Sequence, residues 1–161
     1  MSELIILRGN SACGKSSTAK LLQAHLGEGT LLVPQDIVRR EMLRVKDKVG
    51  SVSTDLLDTI VRFGMERCDF VILEGILTNR KHGDMLRGLI TDFENHVHPY
   101  YFKIPFEETL RRHQFKDVDF GEEEMRQWFL EDDRLGVSCE KIIDESLTQD
   151  DIIQMILSDV R

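Results

Sequence analysis

The segment Gly9-Asn10-Ser11-Ala12-Cys13-Gly14-Lys15-Ser16 fits the pattern G-x-x-x-x-G-K-[ST]. Residues of these types at this spacing suit one task, the cradling of a nucleoside triphosphate. The two glycines let the main chain wrap closely around phosphate oxygens, with several N–H groups turned inward. A helix opening at Lys15 adds the positive end of its dipole. Lys15 reaches the β- and γ-phosphates, the Ser16 hydroxyl is a magnesium ligand, and Ser17 is a further contact on the same first turn. ATP and Mg²⁺ are the expected cofactors. A chance glycine-rich turn would lack a strand before it and a helix after it, and both are expected here.

Two acids are placed to complete such a site. Asp36 follows Val33-Pro34-Gln35 at the end of the second expected strand. An acid there faces the crevice where ligands bind, can take the proton of an acceptor hydroxyl, and can help hold Mg²⁺. It would equally serve as the N-cap of a helix opening at Ile37, and the two roles are compatible. The run Phe70-Val71-Ile72-Leu73 ends in Glu74-Gly75. Glu74 can contact the substrate or a magnesium-coordinated water, or it is simply a strand-ending acid.

Basic residues follow the same logic. Arg39, Arg40, Arg44, Lys46 and Lys48 crowd one segment beside Asp36. Arg39 is the candidate grip on an anionic or hydroxyl-rich acceptor, while Lys46 and Lys48 read as a solvated face shared with Glu41 and Asp47. Among Arg111, Arg112, Lys116 and Arg126, the first choice for a cation on the transferring phosphoryl group is Arg112 and the second is Arg126. The competing reading is surface ion pairing with Glu107, Glu108 or residues 122–124. Trp128 and Phe129 are expected to pack their helix on the core. Cys13 lies beside Lys15, where a thiol can be activated, although a small residue tolerated in the loop is the simpler reading. No histidine is assigned a role.

These residues need strands and helices in alternation to position them. Short apolar runs at 4–7, 31–33, 70–73, 100–104 and 142–143 predict strands. Helical periodicity is expected over 15–26, 37–48, 54–67, 81–95, 106–113, 122–134 and 149–158, with Pro105 opening the helix over 106–113. Such alternation implies a mostly parallel α/β sheet with crossover helices. No repeat or linker divides the 161 residues, so one domain over 1–161 is expected.

Composition narrows the class. The formal charge is −8, which counts against a broad basic surface for extended nucleic acid while leaving room for a local basic pocket. No apolar run is long enough to span a bilayer, and the first residues lack the pattern of a signal peptide. Three cysteines with no C-x-x-C pair suggest a reduced, cytoplasmic protein. A guanine-reading N-K-x-D is missing; Thr78-Asn79-Arg80-Lys81 comes nearest and lacks the aspartate.

The phosphate loop, Asp36-x-x-Arg39 and Ile72-Leu73-Glu74-Gly75 together resemble the P-loop kinases that include polynucleotide 5′-hydroxyl kinase, zeta-toxin and chloramphenicol phosphotransferase. The stretch from Pro105 to His113 is similar to the helix entering the lid of those kinases, and Phe120 to Trp128 resembles its continuation. The resemblance implies a three-layer α/β/α P-loop NTPase fold, a five-stranded parallel sheet ordered 2-3-1-4-5, and a helical lid over about residues 112–130. It implies transfer of the ATP γ-phosphoryl group to an acceptor hydroxyl, with Asp36 as base and Arg39 on the acceptor. Two positions depart from the pattern: Lys116 stands where a second lid arginine is usual, and Cys13 where Gly or Ser is. Within the reading, a small-molecule acceptor leads. A 5′-hydroxyl nucleic-acid end kinase and a non-catalytic nucleotide-binding regulator are the alternatives.

Overall fold

Leu4, Ile5, Ile6 and Leu7 are all fully buried, because the strand that carries them lies mid-sheet with both faces covered. In the computed structural model, which describes residues 1–114 and 120–161, that strand is β1 (Glu3–Gly9). The remaining strands are β2 (Leu31–Pro34), β3 (Phe70–Gly75), β4 (Val97–Phe102) and β5 (Lys141–Ile143). The sheet order is β2-β3-β1-β4-β5, every pairing is parallel, and the order matches the one the resemblance implies. Register brings Leu7 opposite Glu74, Arg8 opposite Gly75, and Pro34 opposite Glu74. The phosphate loop, Glu74 and the residues after Pro34 therefore leave the sheet at one edge, the carboxyl ends of its strands.

The helices are α1 (Lys15–Leu26), a short turn α2 (Gln35–Ile37), α3 (Val52–Arg67), α4 (Asn79–Phe93), α5 (Phe106–His113), α6 (Glu122–Trp128) and α7 (Gln149–Val160). Side chains alternate across β1 and feed two cores. Ile5 and Leu7 pack with Ala19 and Leu22 of α1 and Ile152, Ile153 and Ile156 of α7. Leu4 and Ile6 pack with Leu57 and Val61 of α3 and Leu86 and Leu89 of α4. By the same alternation Arg8 turns toward the α3/α4 face, and it is fully buried there.

Two helices differ from expectation. The one expected over 37–48 starts earlier and ends sooner: α2 opens at Gln35 and runs into a π-helical stretch (Val38–Leu43). Arg44 ends it in the left-handed conformation (φ 57, ψ 45), with its N–H bonded to the Arg39 carbonyl. Past Leu43 the chain reads Arg-Val-Lys-Asp-Lys and has no apolar stripe left to bury, so nothing sustains a helix. Asp36 consequently sits inside the first turn; the N-cap position belongs to Pro34, and no side chain caps it. The helix expected over 122–134 stops at Trp128, because the polar main-chain and side-chain groups beyond it are committed elsewhere, as described below. Pro105 is the N-cap of α5, one residue ahead of its first turn.

Candidate active site

The phosphate loop turns from β1 into α1 through Gly14, which adopts φ 103, ψ 5. A side chain is strained in that conformation. No side chain caps α1, so the loop's own N–H groups and the helix dipole face whatever fills its hollow. Lys15 is buried, and its Nζ donates to the Asn10 carbonyl at 2.8 Å with the Cys13 Sγ at 3.5 Å. The Ser16 hydroxyl donates to the Glu74 carboxylate at 3.2 and 3.3 Å. Ser17 donates to the Gly14 carbonyl at 3.2 Å and accepts from Gln149 Nε2 at 3.1 Å. Ser11 is half-buried in the loop, and Ala12 and Cys13 are buried. The Cys13 thiol packs into the α1/α7 core, which supports its reading as a small residue accommodated by the loop.

Arg112 reaches this loop from α5. Its Nη1 donates to the Cys13 carbonyl at 2.8 Å, and its Nε to Glu108 at 3.0 Å. Arg111 and then Arg112 hold the Glu108 carboxyl low, at about 2. Arg126 is placed differently: it pairs with Glu122 at 3.0 Å and lies over the Phe106 ring at 4.3 Å. Trp128 and Phe129 do not pack on the core as expected. Trp128 is half exposed and meets Phe120 edge-on at 5.1 Å, while Phe129 meets Phe106 at 5.4 Å. Two short helices bury too little by themselves, and these rings join them to each other. Lys116 and the rest of residues 115–119 lie outside the described residues.

For magnesium, the Ser16 hydroxyl and Glu74 carboxylate form a pair of hard oxygen donors next to Lys15, which fits the ion's preference. Asp36 has two arginines as its partners. Its carboxylate is largely exposed, 3.7 Å from Arg39 Nη2 and 3.9 Å from Arg40 Nε. Arg39 is mostly buried, and its Nη1 donates to the Val45 carbonyl at 3.2 Å, drawing residues 44–45 back over the π-helical stretch. Asp36 and Arg39 are thus brought together, as the sequence suggested.

The structure adds residues that the sequence reading passed over. Gln35 is buried over Gly75, where a Cβ would stand 2.6 Å from the Gln35 Cβ. Its amide nitrogen lies 3.3 Å from Nε2 of buried His82, whose Nδ1 lies 3.2 Å from the Thr54 hydroxyl. Asp47 lies 3.7 Å from the same imidazole and 3.2 Å from Lys81 Nζ. His82 first, and then Lys81, hold the Asp47 carboxyl low, at about 2, against the opposing effect of burial. On the far side of this cluster a cleft of about 530 Å³ opens between α3 and α4, lined by Ser51, Thr54, Asp55, Arg62, Arg80 and Lys81 among others and by no residue of the phosphate loop. The available signal for Gln35 was its place between Pro34 and Asp36; a lone histidine on a helix gave none.

Comparison of the sequence with known protein families finds no match, and none is found among curated proteins. The fold is shared with solved structures. The Mycobacterium tuberculosis APS kinase in complex with AMPPNP and APS superposes with a TM-score of 0.73 at 16% identity, over 99% of this chain and 97% of that one. A gluconokinase from Sinorhizobium meliloti gives 0.68 at 14% identity, over 98% and 91%. The Deinococcus radiodurans tunicamycin resistance protein gives 0.67 at 16% identity, over 99% and 96%. The chain has the three-layer α/β/α fold of the P-loop kinases, with a five-stranded parallel sheet ordered 2-3-1-4-5.

Proposed function

We propose that the protein transfers the γ-phosphoryl group of ATP to a hydroxyl of a small-molecule acceptor. One observation carries the reading: Lys15, the Ser16–Glu74 pair and Arg112 converge on one glycine-bounded loop, at the sheet edge where Asp36 also stands. Solved structures of the same fold include an APS kinase with AMPPNP and APS and a gluconokinase, which supports a nucleotide donor and a small acceptor.

In this reading Lys15 exchanges the Asn10 carbonyl for the β- and γ-phosphates. Ser16 and Glu74 would hold Mg²⁺, which supplies neutralising charge to the phosphates when bound. Asp36 accepts the proton of the acceptor hydroxyl as its oxygen bonds to the γ-phosphorus and the bond to the ADP oxygen breaks. Arg39, beside Asp36, binds the acceptor. Arg112 turns its guanidinium from the Cys13 carbonyl to the equatorial oxygens, where charge is spread in the transition state. Asn10, Ser11, Ala12, Cys13 and Gly14 contribute main chain. Arg126 has a more distant part, since Glu122 and Phe106 engage it.

The setting we propose is a reduced cytoplasm, as three cysteines with no C-x-x-C pair suggest. Among the described residues no helix is long and apolar enough to cross a membrane. The charge of −8 favours a small acceptor over extended nucleic acid. The test is γ-labelled ATP offered with sugars, amino alcohols, nucleosides and a 5′-hydroxyl oligonucleotide. Label passing stoichiometrically into a small product supports the reading. Label on the oligonucleotide alone replaces it with end-kinase activity, and tight ATP binding without transfer to any acceptor replaces it with a regulator.

A further inference from the structure

Asn10 makes two sets of bonds that join distant parts of the chain. Its main-chain carbonyl accepts from Lys15 Nζ at 2.8 Å. Its buried side chain grips the main chain of Leu130 from both sides: Nδ2 donates to the Leu130 carbonyl at 2.6 Å, and Oδ1 accepts from the Leu130 N–H at 2.9 Å. An amide is suited to this, since it offers a donor and an acceptor side by side. Aspartate would keep the acceptor but face the Leu130 carbonyl with a second oxygen.

Leu130 belongs to a strap that is fixed at its other end. Three residues on, Asp133 accepts from Arg8 Nη2 at 2.9 Å and from the Asn79 N–H at 2.8 Å, and its own N–H donates to the Tyr101 hydroxyl at 2.9 Å. Glu140 accepts from Arg8 Nη1 at 3.1 Å and from the Leu135 N–H at 2.9 Å. On the near side, Phe129 rests on Phe106 of α5, and α5 returns to the loop through Arg112 and the Cys13 carbonyl. The strap beyond Asp133 is anchored in the fold by a fully buried arginine, whereas Leu130 is anchored to the loop itself.

We infer that Asn10 is a positioning residue whose side-chain amide ties the phosphate loop to the chain leaving α6, so that filling the loop is felt at Trp128 to Leu130. This rests on the loop taking a triphosphate, as proposed above. When phosphate draws Lys15 away, the Asn10 carbonyl loses its partner and the residue resettles. Its side chain carries the change to Leu130, and through Phe129 and Phe106 to the helix that bears Arg112.

The chain contains one tryptophan, and it is Trp128, two residues before Leu130 and half exposed against Phe120. Its emission reports on this region without a label. The experiment titrates wild type, Asn10→Ala and Asn10→Asp with Mg-AMPPNP, follows binding by calorimetry, and compares Trp128 emission at saturation. The wild type is expected to change emission on saturation. Both variants are expected to lose most of that change at their own saturating nucleotide concentration, which calorimetry sets for each protein whatever its affinity. Exchange of the Leu130 amide in the wild-type protein, with and without nucleotide, is the second readout and needs no variant to fold. A change of about tenfold is expected, the scale of gaining or losing one hydrogen bond. A full Trp128 response in folded Asn10→Ala overturns the inference. So does a wild type that binds nucleotide with neither emission nor Leu130 exchange altered. A wild type that releases no heat overturns the functional reading and this inference together, and calorimetry separates that case from the others.

Discussion

The phosphate loop and the segment from Gln35 to Asp47 meet at the same edge of the sheet, yet they are built in opposite ways. The loop is closed on itself: Lys15 bonds the Asn10 carbonyl, Ser17 the Gly14 carbonyl, and Arg112 the Cys13 carbonyl. Across the site, Gln35 Oε1 and Arg39 Nε are buried with no hydrogen-bond partner, and no side-chain atom of the phosphate loop shares that condition among the described residues. Each such atom costs about 1–3 kcal/mol while unpaired. The π-helical stretch (Val38–Leu43) and the left-handed Arg44 are further departures from regular backbone on this side. The phosphate loop is a finished device dictated by a local motif. The segment after β2 is a less satisfied assembly whose parts come from α2, the π-helical stretch and the loop after it, α3 and α4.

The largest expected effect breaks the phosphate loop. Lys15→Ala should lower phosphoryl transfer by roughly 10³-fold, the scale of removing a preorganised charge from a transition state. Turnover within a factor of a few of wild type at saturating Mg-ATP would contradict the account of the loop. Next comes the anchor under the loop strand. Arg8→Ala leaves the Asp133 and Glu140 carboxylates without their buried partner and should cost about 3–5 kcal/mol in urea unfolding. A loss below about 1 kcal/mol, the scale of a surface pair, would show that the strap is held by other contacts. Arg112→Ala should lower kcat by about 10- to 100-fold with little change in nucleotide Kd, if its charge is used in the transition state as proposed. A lowered melting temperature with turnover spared would reduce Arg112 to a structural tie between α5 and the loop.

The smallest effect sharpens the reading of the segment from Gln35 to Asp47. Asp47 has its carboxyl at about 2 in the folded protein against an ordinary 3.8, so the unfolded chain takes the proton first as pH falls. Its contribution is fully present above about pH 4 and disappears between there and pH 2. With the side chain a quarter exposed, the loss should be about 1–2 kcal/mol. Asp47→Asn should flatten that part of the stability curve; an unchanged acid limb would mean that His82 and Lys81 do not hold the carboxylate.

What could be read from the sequence follows the same division. The loop was legible because its function needs eight consecutive residues and no others to be recognised. The strands were legible because both faces are covered, which leaves uninterrupted apolar runs. Arg8 was not, since its partners Asp133 and Glu140 lie 125 and 132 residues away, and an arginine ending an apolar strand reads as a solvent-facing stop. Asn10 read as one more loop member, because nothing local points to Leu130. Helical periodicity carried the expected helices over 37–48 and 122–134 too far, as it cannot register that Arg39 pulls back the Val45 carbonyl or that Asn10 takes the Leu130 main chain. Asp36 was picked out by its position, but its alternative role as a cap fell to the two-residue earlier start of the turn, at Gln35 rather than Ile37.

Asp36 is therefore the residue on which the two halves of the account meet, and Asp36→Asn is the most direct test. The side chain is exposed and caps nothing, so the amide should leave the fold intact and alter stability by about 1 kcal/mol or less, mainly through the helix dipole. Nucleotide binding depends on the loop and should persist. The measurement is single-turnover transfer of labelled phosphate to whichever acceptor the labelled-ATP panel yields, alongside nucleotide Kd. The expected result is an unchanged Kd with a rate lower by roughly 10²–10⁴-fold, the range of a general base. A rate within about threefold of wild type, far short of that range, would contradict it and remove Asp36 from the chemistry.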